Sequence, residues 1–178
     1  MFLRGLKDKF KYNSGLKFLK NELKSPAPVP DRPKGISAIG VIVDLDAFDK
    51  VERFQEIIEY FSLRPNAVKV IGYRNFYTMN SPYATPVFSD KDLGWHGLID
   101  NSYANEFLSR EYDLLLNYYS QSNLMLQLMS IKAKARLRVG LAEAEMEFND
   151  LILKVRIEEF DTFMKELLKY LKVLKELA

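Results

Sequence analysis

The chain contains no cysteine and a single histidine, His96, among its 178 residues. Without cysteine it can form no disulfide, no thiolate metal site and no cysteine nucleophile, and one histidine excludes a metal site built from several histidines. No stretch has the length and apolarity of a membrane span or of a signal-peptide core. The composition therefore predicts a cytoplasmic protein. A chain of this length can bury a core without a disulfide or a metal ion.

Positive charge is concentrated at the beginning of the chain. Residues 1–34 contain nine Lys and Arg and three acids, whereas the remainder contains 17 basic and 21 acidic side chains. Apolar residues at helical spacing on both sides of a turn signal, Asn13-Ser14-Gly15, predict two short helices. Four prolines within Ser25–Gly35 predict an extended linker. We therefore expect a basic amphipathic arm and linker over residues 1–35, followed by a single α/β domain over residues 36–178.

The domain alternates short apolar runs with amphipathic segments. The runs predict strands at Ala38–Val43, Ala67–Tyr73, Tyr112–Tyr119, Arg136–Leu141 and Asp150–Ile157, with a short further strand near Pro86–Ser89. Helical spacing predicts helices at Asp49–Phe61, Asn101–Arg110, Ser122–Ile131 and Glu158–Leu177. Strands that are apolar throughout are covered on both faces. We therefore predict a three-layer, doubly wound α/β fold with a mostly parallel sheet of about five strands and helices on both faces.

Acidic residues follow the first predicted strand in the segment VIVDLDAF. Asp44 and Asp46, two positions apart at a strand end, are spaced to share a Mg²⁺ ion. The segment is similar to the hhhDxDx[TV] motif of haloacid-dehalogenase-type phosphatases, although Phe48 stands where that motif has Thr or Val. The alternative is structural. In that interpretation Asp46 or Asp49 caps the helix that follows, and Asp49 with Glu52 forms an acidic variant of a capping box.

The remaining phosphatase positions would fall elsewhere in the chain. Ser120 would supply the hydroxyl of the second motif, Lys132 or Lys134 the phosphate-binding lysine, and Glu158-Glu159 the last acidic pair. Lesion-bypass polymerases and diguanylate cyclases also have acidic segments of this kind, but they need an Asp-Glu pair, and this sequence contains no such dipeptide. A dinucleotide site or a P-loop has no support in the sequence, because neither GxGxxG nor GxxxxGK[ST] is present.

Open α/β folds bind ligands outside the carboxyl ends of their strands. The residues expected there lie at or just after the ends of three predicted strands: Asp44, Asp46, Tyr73, Arg74, Asn117, Tyr118 and Ser120. Alternation along a strand places the side chains of Asn117 and Tyr119 on one face of the sheet and that of Tyr118 on the other. We predict that the seven residues form the rim of a ligand pocket.

The order of segments also resembles that of a known family. Five segments follow one another in that order: VIVDLDAF, YDLLLNYY, SIKAKARLRVG, NDLILKV and LLKYLKVL. They resemble an uncharacterised bacterial family of small α/β proteins of unknown function, from roughly Gly35 to the end of the chain, with a basic arm before it. The resemblance implies a first strand that offers one aspartate, which matches Asp44. It implies no activity, cofactor or catalytic residue.

A complete α/β pattern without a full set of catalytic motifs favours a non-catalytic protein that binds a small molecule or a protein partner and needs no cofactor. Two alternatives remain open. One is a Mg²⁺-dependent phosphatase or phosphotransferase that uses Asp44 and Asp46. The other is attachment to an anionic membrane or to nucleic acid through the basic residues 1–34.

Overall fold

Six parallel strands form one sheet. The computed structural model describes residues 2–76, 85–121, 123–141 and 146–177. The strands are β1 (Ile39–Asp44), β2 (Val68–Tyr73), β3 (Val87–Phe88), β4 (Glu111–Tyr118), β5 (Lys134–Leu141) and β6 (Leu151–Leu153). Their order across the sheet is β3-β2-β1-β4-β5-β6, and every neighbouring pair is parallel. This is a doubly wound order, in which the sheet extends in opposite directions from β1 and β4.

Helices cover both faces of the sheet. They are α1 (Phe2–Lys24), α2 (Glu56–Tyr60), α3 (Ser102–Leu108), α4 (Leu124–Lys132) and α5 (Phe160–Val173), and a 3-10 helix at Val51–Gln55 leads into α2. Buried side chains of α2 and α5 pack on one face, and those of α1, α3 and α4 pack on the other. The predicted three-layer α/β fold is confirmed, with six strands where about five were expected. No helix among the described residues has the length and apolarity needed to cross a membrane.

Strand β1 lies in the interior of the sheet, with β2 on one side and β4 on the other. Its residues Ile39–Val43 are all buried, and only Asp44 at its end is partly exposed. Ile39, Val41 and Val43 join the core beneath α2 and α5, whereas Ile42 joins the core on the other face. A strand covered on both faces needs apolar side chains on both, which explains the continuous apolar run that marks it in the sequence.

Helix α1 is continuous where the sequence predicts a break. It runs through Asn13-Ser14-Gly15 and packs on α4 and on the loop after β3. Gly15 permits this packing, because a Cβ atom there would lie only 3.1 Å from Leu124 Cδ2. The Ser14 hydroxyl accepts a hydrogen bond of 3.1 Å from the backbone amide of His96, which lies in the loop after β3. The prediction of two short helices is therefore wrong, and the small residues of the turn signal form the contact with the domain.

Two predicted elements are shorter in the structure. The helix predicted over Asp49–Phe61 consists of the 3-10 helix followed by α2, which ends at Tyr60. The strand predicted over Asp150–Ile157 pairs only as far as Leu153, since the Val155 amide then donates to the Leu153 carbonyl and turns the chain. Ser122, the predicted first residue of another helix, lies outside the described residues, and that helix, α4, is described from Leu124 onward.

An ion pair with the buried Asp113 carboxylate holds the proline-containing linker at the amino edge of the sheet. Arg32 Nε lies 2.5 Å from Asp113 Oδ1, near the start of β4. The Asp113 carboxylate also accepts the backbone amides of Ser37 and Ala38, at 2.8 and 2.9 Å. Burial on its own raises the pKa of Asp113, but the bonds from Arg32, Ser37 and Ala38 outweigh it and hold the pKa at about 2. The linker and the start of β1 are thereby fixed to β4.

A second buried ion pair connects the linker to the end of the chain. Arg136, on β5, donates two bonds of 2.7 Å to the Glu176 carboxylate. Gly35 joins them, because its amide donates to Glu176 and its carbonyl accepts from Arg136. The Arg136 bonds lower the pKa of the Glu176 carboxyl, against the effect of its burial. The amino edge of the sheet is thus held together by two ion pairs.

Candidate functional site

The switch point of the sheet lies between β1 and β4. β1 ends at Asp44 and β4 at Tyr118, and all six strands run in the same direction, so their carboxyl ends share one edge. Doubly wound folds bind their ligands in the crevice outside this edge, where the strand order reverses. The segments that follow the strands are therefore where a ligand site is expected.

Asp44 and Asp46 are bonded to backbone amides of the loops around them. Asp44 Oδ1 accepts a hydrogen bond of 3.0 Å from the Asp46 amide, and Asp46 Oδ2 accepts one of 2.8 Å from the Asn75 amide. Asp46 Oδ1 also lies 3.6 Å from Arg74 Nη1. The pKa of the Asp44 carboxyl is raised, because the effect of burial outweighs that of the hydrogen bond from the Asp46 amide, which lowers the pKa. Asp44 therefore holds the turn after β1, and Asp46 ties that turn to the loop after β2.

Neither Asp46 nor Asp49 caps the helix that follows β1. Among the described residues, no side chain accepts a hydrogen bond from an amide at the start of the 3-10 helix. The Val51 and Arg53 amides there already donate to the backbone carbonyls of the two residues before the helix, at 2.9 and 3.1 Å. The capping interpretation and the capping box with Glu52 are therefore wrong. Backbone carbonyls accept the hydrogen bonds from the amides that a capping side chain would otherwise have accepted.

Tyr73 ends β2 as a buried side chain with a bonded hydroxyl. Its oxygen lies 2.9 Å from Asn75 Oδ1 and 3.0 Å from Asp90 Oδ1, and it donates to one or the other. Burial and the charge of Asp90 raise the pKa of the Tyr73 hydroxyl. Arg74, the next residue, lines a cleft of about 360 Å³ beside the 3-10 helix. Asn75 and Asp90, which the sequence analysis did not select, thus complete a polar cluster with the two aspartates and Arg74.

Asn117 is buried and belongs to a hydrogen-bond network, not to a rim. Its Nδ2 donates to Asn149 Oδ1, and its Oδ1 accepts the Ser130 hydroxyl, each at 2.8 Å. Because the Ser130 hydroxyl has a single hydrogen and donates it to Asn117, it accepts a hydrogen bond from the Tyr119 hydroxyl. The neighbouring strand residue is Gly140, where a Cβ would lie 2.5 Å from Asn149 Nδ2. Asn117 and Tyr119 share one face of the sheet, as alternation predicts, but they meet α4 there and not solvent.

Tyr118 is also buried, on the opposite face of the sheet. Its ring lies 5.0 Å from that of Phe48, 5.2 Å from that of Phe54 and 6.0 Å from that of Phe160, between centroids. Its hydroxyl donates to the Ile157 carbonyl at 2.7 Å. The prediction that Asn117 and Tyr118 line a pocket rim is therefore wrong. Phe48, which replaces the Thr or Val of the phosphatase motif, is part of this aromatic core.

Ser120 lines a cleft of about 610 Å³ beyond the carboxyl ends of β4, β5 and β6. We call it the carboxyl cleft. Its apolar lining is Leu141, Val155 and Ile157, and its polar lining is Ser120, Lys154, Arg156, Glu158 and Glu159. Exposure alternates along the segment after β6: Val155 and Ile157 are buried in the core, whereas Lys154, Arg156 and Glu158 are exposed. Three charged side chains therefore follow one another on the open side of this segment.

One ion pair within the carboxyl cleft is already formed. Arg156 Nε lies 3.1 Å from Glu159 Oε2. Lys154 and Glu158, in contrast, have no ion pair or hydrogen bond through their side chains within the part of the chain that the structure describes. The cleft thus presents one unengaged cation, one unengaged anion and the Ser120 hydroxyl above an apolar floor.

The predicted phosphatase positions do not come together. Lys134 begins β5 and pairs with the first residue of β4, so it lies at the amino edge, whereas Asp44 lies at the carboxyl edge. A strand rises about 3.3 Å per residue, so roughly 20 Å of sheet separates the two edges. Lys132 Nζ lies 4.1 Å from the centroid of the Phe18 ring, on α1. Assigning either lysine to a phosphate at Asp44 is therefore wrong.

The described residues contain no group of three or more acids and histidines placed to hold a metal ion.

Lys154 and Arg156 were not predicted as site residues because they fall within the predicted strand Asp150–Ile157. The alternating pattern of Asp150–Ile157 continues past the point where pairing ends, so it gives no sign that β6 stops at Leu153. Glu158-Glu159 was considered only as the last acidic pair of a phosphatase. The position of these residues after the last strand of a predicted parallel sheet was the one available signal.

Comparison with known proteins gives a family and no activity. A family model, described as a family of unknown function (DUF6913), matches residues 11–174. No curated protein and no solved structure matches the chain. The match begins inside α1 and includes the linker and all six strands. The resemblance to an uncharacterised family is confirmed.

Proposed function

We propose that this chain, which belongs to the family of unknown function DUF6913, binds a small zwitterionic molecule in the carboxyl cleft. The observation that carries the proposal is the position of that cleft. It lies at the carboxyl ends of three parallel strands and begins at Ser120, two residues past the end of β4, which borders the switch point. Doubly wound folds place their ligands at this edge. The protein acts in this proposal as a binding protein, and a cytoplasmic location stays a prediction.

The dimensions of the carboxyl cleft suit a small molecule. A volume of about 610 Å³ lies within the range of roughly 300–1,000 Å³ that small-molecule sites occupy. Leu141, Val155 and Ile157 offer an apolar surface for the body of a ligand. Such sites combine apolar walls with a few polar groups that orient the ligand.

The charges of the cleft support a zwitterion over a polyanion. Arg156 and Glu159 neutralise each other, which leaves Lys154 and Glu158 for a ligand. One ammonium and one carboxylate side chain complement a molecule that carries a carboxylate and an amino group. A nucleoside triphosphate or another polyanion would meet the two glutamates as well as the two cations, and the described lining residues carry no excess positive charge for it.

Thermal unfolding with a panel of small molecules tests the proposal. The panel contains free amino acids and betaines as zwitterions, with dicarboxylates, diamines and nucleoside phosphates for comparison, each with and without Mg²⁺. A ligand at a hundred times its Kd stabilises the folded state by about 2.7 kcal/mol. Since each kcal/mol raises Tm by about 2–4 °C in a chain of this size, we expect an increase of roughly 5–10 °C with a zwitterion. If no zwitterion raises Tm, the proposal is wrong.

Variants of the two unengaged side chains locate the binding. We expect Lys154→Gln and Glu158→Gln each to weaken binding of the zwitterion at least tenfold by calorimetry, since each removes one charge partner. Lys165→Gln and Glu59→Gln make the same chemical changes at exposed positions on α5 and α2 and should leave Kd unchanged. Equal losses in the two sets of variants would contradict the assignment of the site.

The magnesium alternative is tested by an assay of phosphate-ester hydrolysis with and without Mg²⁺. A Mg²⁺-dependent phosphatase would hydrolyse a generic phosphate ester, and Asp44→Asn would abolish that activity. Asp44 and Asp46 both accept hydrogen bonds from backbone amides, which supports a structural role for both aspartates. Hydrolysis that depends on Mg²⁺ and on Asp44 would favour the enzyme over the binding protein.

A further inference from the structure

Helix α1 has one face on the domain and one face in solvent. Gly15 and Leu19 are buried against the domain. On the opposite side Lys17, Lys20 and Lys24 are exposed. These lysines are three to four residues apart, so they form one stripe along the helix.

The two acids of α1 lie away from this stripe. Asp8 lines a cleft with Lys7, Lys11 and Asp90, on the domain side of the helix. Glu22 is half-buried, and its charge acts on Lys132 of α4. The charged side chains of this stripe, Lys17, Lys20 and Lys24, are therefore all positive, although the chain as a whole has a net charge of only +2.

The same outward stripe becomes apolar toward the beginning of the helix. Leu6 and Phe10, four residues apart, are 42% and 55% exposed. Helical spacing continues the stripe from Phe10 to Lys17, seven residues later. We call Leu6, Phe10, Lys17, Lys20 and Lys24 the outward face of α1.

A loop adds two further apolar side chains beside this face. Trp95 and Leu98 are 43% and 63% exposed, in the loop that packs along α1. The His96 amide, between them, donates to the Ser14 hydroxyl, one helical turn after Phe10. Trp95 is also the single tryptophan of the chain. The outward face of α1 and this loop thus form one surface with lysines at one end and exposed apolar side chains at the other.

We propose that the outward face of α1, with Trp95 and Leu98, docks the protein on an anionic lipid bilayer. Membrane-surface helices combine Lys and Arg with Trp, Phe and Leu in this way, because the apolar side chains enter the headgroup region while the cations meet anionic lipids. A nucleic acid would engage the lysines but would leave Leu6 and Phe10 without a partner. Since α1 is already folded on the domain, docking needs no coupled folding of the helix. This inference is independent of the ligand in the carboxyl cleft.

Co-sedimentation of the full chain with vesicles tests the charge requirement. We expect binding to phosphatidylcholine vesicles that contain about 30% phosphatidylserine, and little binding to phosphatidylcholine alone. The triple variant Lys17→Glu, Lys20→Glu, Lys24→Glu should reduce partitioning on the order of a hundredfold, since each lysine contributes about fivefold at an anionic surface. The control is Lys50→Glu, Lys165→Glu, Lys172→Glu, which makes the same change of net charge at exposed positions elsewhere. Equal losses in the two triple variants would overturn the proposal.

Fluorescence of Trp95 tests the apolar requirement. We expect its emission to shift to the blue when anionic vesicles are added, because the side chain leaves water. Leu6→Ser with Phe10→Ser should weaken binding at least tenfold although no charge changes, and thermal unfolding should show that this variant still folds. An unshifted emission spectrum, or binding that ignores the apolar changes, would overturn lipid docking. Tight binding of duplex DNA through Lys17, Lys20 and Lys24, without binding to vesicles, would also overturn it.

Discussion

Asp113 offers the sharpest test of how the amino edge of the sheet is held together. Its side chain is 3% exposed and lies 2.5 Å from Arg32 Nε, and it also accepts two amides and the Ser37 hydroxyl. We predict that Asp113→Asn destabilises the protein at pH 7, because Asn keeps one acceptor oxygen and loses the charge that Arg32 and the amides stabilise. Asp31→Asn, an exposed change beside Arg32, is the matched control.

The magnitude follows from the pKa of the Asp113 carboxyl. This pKa falls from 3.8 to about 2 in the folded protein, and each unit corresponds to about 1.4 kcal/mol. The group therefore contributes about 2.4 kcal/mol to the free energy of unfolding above the unfolded pKa. Because the folded pKa is the lower one, that contribution is lost as the pH falls through 3.8 toward 2. At pH 3, about half of it remains.

Urea unfolding of both variants and the parent between pH 7 and pH 3 measures this contribution. We expect Asp113→Asn to lower the free energy of unfolding by about 2.4 kcal/mol at pH 7 and by about half as much at pH 3. Asp31→Asn should change it by less than about 0.5 kcal/mol at either pH. A loss for Asp113→Asn that is the same at both pH values would refute the electrostatic reasoning, and a loss no larger than that of the control would refute the role of the ion pair.

Two further substitutions test other buried contacts by urea unfolding. Gly140→Ala should cost about 1–3 kcal/mol, because the new Cβ displaces Asn149 and leaves a buried polar group unbonded; Gly5→Ala, where a Cβ meets nothing within 4 Å, should cost nothing, and similar results for the two would contradict the close packing. Arg136→Met should cost about 3–5 kcal/mol because it leaves the Glu176 charge buried and unpaired. Adding Glu176→Leu to that variant should recover part of the loss, and a double variant less stable than Arg136→Met would contradict the assignment.

The strands could be predicted because burial on both faces leaves a strong pattern. Each of the apolar runs from Ala38 to Val43 and from Tyr112 to Tyr119 coincides with a strand to within one residue at either end. The break predicted in α1, in contrast, is wrong. Gly15 and its neighbours have the composition of a turn, but their small side chains serve close packing against Leu124, which local sequence does not encode.

The candidate site was predicted less well than the fold. The strand that contains Asn117 and Tyr118 was found, but their partners Ser130 and Ile157 lie 13 and 39 residues away. Whether a polar residue at a strand end meets solvent or a buried partner depends on which helix packs over it, and spacing along the chain does not reveal that. Lys154 and Arg156 were missed because alternation of exposed and buried residues continues beyond the last strand pair of β6.

A titration followed by ¹H–¹⁵N NMR tests the ligand site most directly. The protein has a mass of 20.7 kDa, within reach of backbone assignment, and the zwitterion with the largest effect on Tm is the titrant. We expect the amides that shift to cluster at Ser120, Leu141 and residues 154–159, with little change in α1. Shifts confined to the polar cluster around Asp44 and Arg74, or to α1, would contradict a ligand site in the carboxyl cleft.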